Sequence, residues 1–180
     1  MRLIAMAVLI LFNFLLQSTV LTRLTISGVQ PDTAIILIVG YGIMRGDVEG
    51  AIFGFFAGLT HDIFGNTFIG MYALLGMLTG YAAGKPLKDF LQTNHLMSFI
   101  LIIVASFAYQ FALFLLHSAF FLMRGHTEPI DLWLHFGAII VPTTVYTAVV
   151  AMPFYGFLFW INKKMEYYEG GRSRFFDNKD

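Results

Sequence analysis

The sequence has no cysteine, which excludes disulfides, thiolate nucleophiles and cysteine-ligated metals. Charge is almost as scarce. Only 12% of the 180 residues are Asp, Glu, Lys or Arg, and eleven bases cancel eleven acids, so no basic face is offered to nucleic acid. What fills the chain is apolar: 58% hydrophobic residues and a mean hydropathy of +0.74. That composition is too apolar for a water-soluble domain and predicts an all-α polytopic membrane protein.

Six apolar segments carry this character: 3–21, 33–44, 51–60, 68–83, 96–123 and 132–161. The first follows a basic start but is longer than a signal-peptide core and lacks a small-residue cleavage pattern, so it reads as a retained helix. Turn-forming stretches such as "SGVQPD", "RGDVEG", "GKPLKD" and "RGHTEPID" separate the segments. The organisation expected is one six-helix transmembrane domain over residues 1–165, with a polar, aromatic cytoplasmic tail over 166–180. On alternate sides of these spans, Arg2, Arg45, Lys85, Lys88, Lys163, Lys164, Arg172, Arg174 and Lys179 oppose only Arg23 and Arg124. Such asymmetry predicts that both termini lie in the cytoplasm.

A helix needs roughly 20 residues to cross the hydrocarbon layer, and the second and third apolar segments are only 12 and 10 residues long by count. Helices 2 and 3 are therefore expected to be short and central, their polar ends covered by protein. Pro142 and Pro153 are expected to bend the last helix.

Between the second and fourth segments the glycines fall into rows. Gly46, Gly50, Gly54 and Gly58 are spaced by four, as are Gly76, Gly80 and Gly84. Missing side chains let helix backbones approach closely in lipid, so these rows serve either packing of helices 3 and 4 or docking of another membrane protein. Four residues advance a helix by about 40° beyond a full turn. The row from Gly46 to Asp62 is therefore expected to spiral past different neighbours.

Asp62 ends that row beside His61. A carboxylate at this depth is a backbone cap for the following turn or a proton-relay group. Adjacent helical residues diverge by about 100°, so His61 and Asp62 are not a ready-made dyad. In helix 1, Asn13 and Gln17 share a face with Ser18 and Thr19 nearby, and read as hydrogen-bonding glue or a partner face. Tyr109, Gln110 and His117 read the same way. His61, His117, His126 and His135, with Glu128 and Asp131, map to one side of the bundle, but their spacing does not announce a metal site. No serine sits in a nucleophile motif and no nucleotide loop is visible, so no catalytic residue or cofactor is assigned.

The order of several short elements is more telling. Gln17-Ser18 at the end of helix 1, Pro31-Asp32 before helix 2, the run Gly50, Gly54, Phe55, Gly58 and Asp62, and Gly70 at the next turn resemble the MreD family of rod shape-determining proteins. The detailed likeness covers about residues 10 to 85. Beyond them only hydropathy, length and the basic end agree. The resemblance implies a non-enzymatic bacterial inner-membrane scaffold that binds MreC. Through MreC it would couple to MreB filaments and to RodA with its penicillin-binding transpeptidase. It also implies a fold similar to the substrate-binding subunits of energy-coupling-factor transporters, which makes a vitamin-binding transport subunit the alternative. Asp32 and Asp62 are the carboxylates that match the family pattern.

Overall fold

A computed structural model describes residues 2–19, 21–25, 29–64, 70–85, 95–123 and 136–176. His126, Glu128, Asp131 and His135 lie outside the described residues. Regular structure among the described residues is helical: α1 (Arg2–Thr19), α2 (Thr33–Arg45), α3 (Asp47–Phe64), α4 (Met71–Gly84), α5 (His95–Met123) and α6 (Val141–Phe176). A 3₁₀ turn at Leu21–Leu24 follows α1, and a π turn at Phe136–Ile140 precedes α6.

Helix α2 is apolar on every side, and every residue from Thr33 to Met44 is buried. An all-round apolar helix has to be enclosed by others, and α2 is the axis of the bundle, packed by α3, α4, α5 and α6. Tyr41 stacks on Phe53 of α3 with ring centroids 4.6 Å apart, while Leu158 of α6 covers Gly40.

Helix α3 differs from expectation in both length and position. It is 18 residues long, because Asp47 and Glu49 belong to its first turn and His61 and Asp62 to its last. Carboxylates favour a helix N-terminus electrostatically, so Asp47 and Glu49 begin the helix although they lie outside the apolar run. Nor is α3 central. Gly50, Phe53, Gly54, Ala57, Gly58 and Asp62 face the bundle, while Val48, Ile52, Phe56, Ile63 and Phe64 are exposed on the other side. The short partner of α2 is instead α4, with 14 residues.

Helix α5 follows its apolar segment closely. The described part of the sixth segment is continuously helical, the π turn running directly into α6. Pro142 is the second residue of α6, directly after the π turn. Only Pro153 lies in the helix interior. The helix then continues through Phe176, into the stretch read from sequence as a tail.

Large apolar side chains cover the outside: Val8, Leu15, Phe56, Val104, Val145 and Val149 are each more than half exposed. Water does not tolerate apolar surface on this scale, whereas hydrocarbon is its natural solvent. Two stretches, Met97–Phe120 and Gly137–Leu158, are long and apolar enough to cross a membrane, and Met6–Thr19 and Thr33–Arg45 are shorter apolar helices.

Candidate functional site

Two features organise this bundle: a glycine seam between α3 and α4, and a buried polar cluster at one end of it. In the seam, a Cβ added at Gly50 would stand 2.5 Å from the Gly80 carbonyl oxygen, and one at Gly42 would stand 2.7 Å from the same atom. A Cβ at Gly54 would strike the Gly76 carbonyl, and one at Gly58 the Tyr72 carbonyl. Gly84 lies equally close against Gly46 and Asp47. Each four-residue step forward along α3 thus meets a four-residue step back along α4.

The row does not spiral onto different neighbours. Both antiparallel helices present four-spaced ridges inclined to their axes, and crossing at an angle keeps two such ridges together. The drift computed for one straight helix is taken up by its partner. Gly46 also has a different duty from the other glycines of its row. It joins α2 to α3 with φ of 104°, a left-handed conformation that disfavours a side chain, and its N–H bonds the Gly42 carbonyl at 2.8 Å. Gly42 was missed by the sequence reading, although it extends the four-residue count backwards across the turn.

The polar cluster gathers where α1 and α3 end and α2 and α4 begin. Asp62, 2% exposed, accepts the backbone N–H groups of Gly70 at 3.0 Å, Tyr72 at 3.1 Å and Ala73 at 2.9 Å. Gly70 precedes α4 with φ of 105°, turning the chain so that these amides converge on one carboxylate. Charge-assisted bonds to a helix N-terminus offset the cost of burying the charge.

Asp32 does the same for α2. Its Oδ1 accepts from the N–H of Ala34 at 3.1 Å and of Ile35 at 3.3 Å, while its Oδ2 accepts from Gln110 Nε2 of α5 at 3.3 Å. The Asp32 N–H donates to the Thr147 hydroxyl of α6 at 2.9 Å. One residue therefore ties the central helix to both long ones.

Asn13 and Gln17, though on one face of α1, reach different helices. Thr33 Oγ1 donates to Asn13 Oδ1 at 2.7 Å. Gln17 Oε1 lies 3.1 Å from His61 Nε2, and the His61 ring stacks on Tyr72 with centroids 5.4 Å apart. His61 and Asp62 thus meet the same residue in different ways, His61 on the Tyr72 ring and Asp62 on its backbone N–H. Thr33 and Thr147 were not singled out from sequence. A threonine inside an apolar helix usually bonds its own preceding turn, so type alone does not mark it as a tie between helices.

The Asn13–Thr33 pair gives a measurable energy. A double-mutant cycle with Asn13→Leu and Thr33→Val is expected to yield a coupling of ~0.6 kcal/mol, the usual size for such pairs between membrane helices, read from unfolding in mixed micelles. A coupling near zero would remove this bond from the forces holding α1.

Chemically the cluster is self-satisfying. Both aspartates neutralise helix N-termini that would otherwise attract an external anion. Among the described residues no group of three or more His, Cys, Asp or Glu is arranged to hold a metal ion. No curated protein and no solved structure matches the chain. The family model of the rod shape-determining protein MreD matches residues 1–165. With its aspartates, glycine seam and apolar exterior inside that match, the chain belongs to the MreD family of membrane-associated, rod shape-determining proteins.

Proposed function

We propose that this protein is a non-enzymatic scaffold of the cell-elongation machinery, spanning the bacterial cytoplasmic membrane six times with both termini in the cytoplasm. In this reading residues 1–165 form the membrane domain, and 166–180 form a cytoplasmic extension continuous with α6. It holds MreC by that protein's membrane segment. Through MreC it aligns MreB filaments with RodA and its penicillin-binding transpeptidase, so that peptidoglycan is inserted along the side wall.

The observation that carries the reading is the use made of the polar groups inside the family match. Asp32, Asp62, Asn13 and Gln17 are bonded to other helices or to helix ends, an arrangement suited to fixing shape. The glycine rows are occupied by one another. A partner helix is therefore assigned to the outward faces, which a rigid core holds in place. The vitamin-transport alternative calls for polar groups converging on a ligand cavity, and in this cluster they converge on backbone amides.

Affinity purification of the tagged full chain from native membranes tests the reading. MreC is expected to accompany it, and Gly54→Leu is expected to lose MreC and to leave rod-shaped cells round. A folded chain that restores rod shape with no MreC attached would refute the scaffold assignment.

A further inference from the structure

The lipid-facing wall of the bundle is not equally high all the way round. A common level is set by the polar cluster, where Asp32 is bonded to Gln110 of α5 and Thr147 of α6, and Asp62 of α3 accepts the first amides of α4. The Tyr72 ring of α4 meets the Tyr109 ring of α5 with centroids 6.5 Å apart, so both pairs of helices pass this level side by side. Below it they descend together. Val48 lies 14 residues from Asp62 and Met97 lies 13 from Gln110 by count, so at 1.5 Å per residue each is roughly 20 Å further in.

Above that level they part. Helix α3 ends just past Asp62, at Phe64, and α4 is only beginning at Met71. Helix α5 climbs on, its apolar stretch running from Met97 to Phe120, which ends roughly 15 Å beyond Gln110. Helix α6 rises beside it, from Thr147 back to Val141. The upper parts suit hydrocarbon rather than water, since Phe111, Leu115 and Ala119 of α5 and Val141 and Val145 of α6 are all exposed. The apolar wall is therefore roughly 24 Å high along α3, from Val48 to Phe64, and roughly 35 Å along α5. A typical hydrocarbon core, about 30 Å thick, matches neither. Whole-body tilt does not remove the step, because a tilt that levels the outer ends unlevels the inner ones.

We propose that the protein thins the bilayer beside α3 and α4, drawing the outer leaflet down to the end of α3 and favouring phospholipids with shorter acyl chains there. A leaflet of full thickness would surround the last turn of α3 with hydrocarbon, where its unpaired backbone carbonyls have no water to bond. Deforming the lipid costs little per ångström by comparison. On the α5 and α6 side the same bilayer is stretched slightly instead. The inference rests on the membrane-spanning topology proposed above and requires no protein partner.

The test uses the full chain, reconstituted without partners in vesicles of phosphatidylethanolamine and phosphatidylglycerol. It has no cysteine, so a single introduced cysteine takes a nitroxide label alone. The labels go to exposed positions near the ends of both walls: Val48→Cys and Ile63→Cys on α3, Met97→Cys and Ala119→Cys on α5. Collision with oxygen, compared with collision with a water-soluble nickel chelate, reads the depth of each. All four are expected at headgroup depth. A label at Ile63 lying roughly 10 Å deeper than one at Ala119, or Val48 and Met97 unlevelled by as much, would overturn the proposal, since the lipid would then lie flat around a stepped protein. A label at Ala119 in bulk water would overturn it too, because α5 would then protrude. A second measurement places a fluorophore at Phe56→Cys on α3 or Val104→Cys on α5, both exposed, and compares quenching by brominated phospholipids of short and long chain. Preference for the short chain is expected to be about twofold greater at Phe56 than at Val104. Equal preference at the two sites would overturn the proposal. The scaffold reading is measured separately by MreC co-purification, so either can fail while the other stands.

Discussion

Gly54→Leu is expected to force α4 off α3 and to destabilise the bundle by about 3 kcal/mol or more, the upper range for overpacking a filled interior. The reason is the identity of the atom in the way. A Cβ at Gly54 meets the Gly76 backbone carbonyl, and a backbone cannot change rotamer to make room. Even Gly54→Ala is expected to destabilise, although alanine favours a helix over glycine by about 1 kcal/mol. Gly156→Ala supplies the contrast, because nothing lies within 4 Å of a Cβ at that position. There the propensity gain acts unopposed, and stability is expected to stay level or rise slightly. Thermal unfolding followed by size-exclusion chromatography in detergent would measure all three. Equal behaviour of Gly54→Ala and Gly156→Ala would show that the seam is looser than described.

The second large effect is expected at Asp62. Asp62→Ala removes the acceptor for the N–H groups of Gly70, Tyr72 and Ala73, in a place where the residue is 2% exposed and water is excluded. Each orphaned buried donor costs about 1–3 kcal/mol, so a loss of ~3 kcal/mol or more is expected unless the first turn of α4 unwinds to reach water. Asp62→Asn keeps one acceptor oxygen but turns an amide N–H₂ towards donors, and should fall between Ala and the native residue. Hydrogen exchange measured by mass spectrometry gives the local readout. Amides at the start of α4 should lose protection in Asp62→Ala while those of α5 keep theirs. Unchanged protection at Tyr72 and Ala73 would show that the carboxylate does not hold that turn.

Much of this was legible in the letters alone. Residues 96–123 are a long apolar run with only scattered polar residues, and α5 begins and ends within a residue of it. A short acid followed by a glycine-bearing turn marks Asp62 as a candidate cap, and its place in the row after Gly58 ties it to the same helix face. The extent of α3 was less legible, because hydropathy registers Asp47, Glu49 and His61 as interruptions while the backbone hydrogen bonds of the helix run through them. Its peripheral position was hidden for a related reason. An apolar side chain is equally at home against a protein core or against lipid, so Phe53 and Phe56 look alike in sequence although one is fully buried and the other 52% exposed. The glycine partnership required a second helix to be considered with the first. The 40° drift per step is a property of a lone rod, and it disappears when Gly76, Gly80 and Gly84 drift in concert.

A seam built of backbone also has a dynamic consequence. Ordinary helix contacts loosen by rotamer exchange, and the glycines of α3 and α4 have no rotamers to exchange. Helices α3 and α4 should therefore move as one plank, tilting or shifting together while the spacing between them stays constant. Any load taken up on the outer face of α3 would then reach the far side of α4 undiminished, a useful property in a protein whose family sets the geometry of a growing wall.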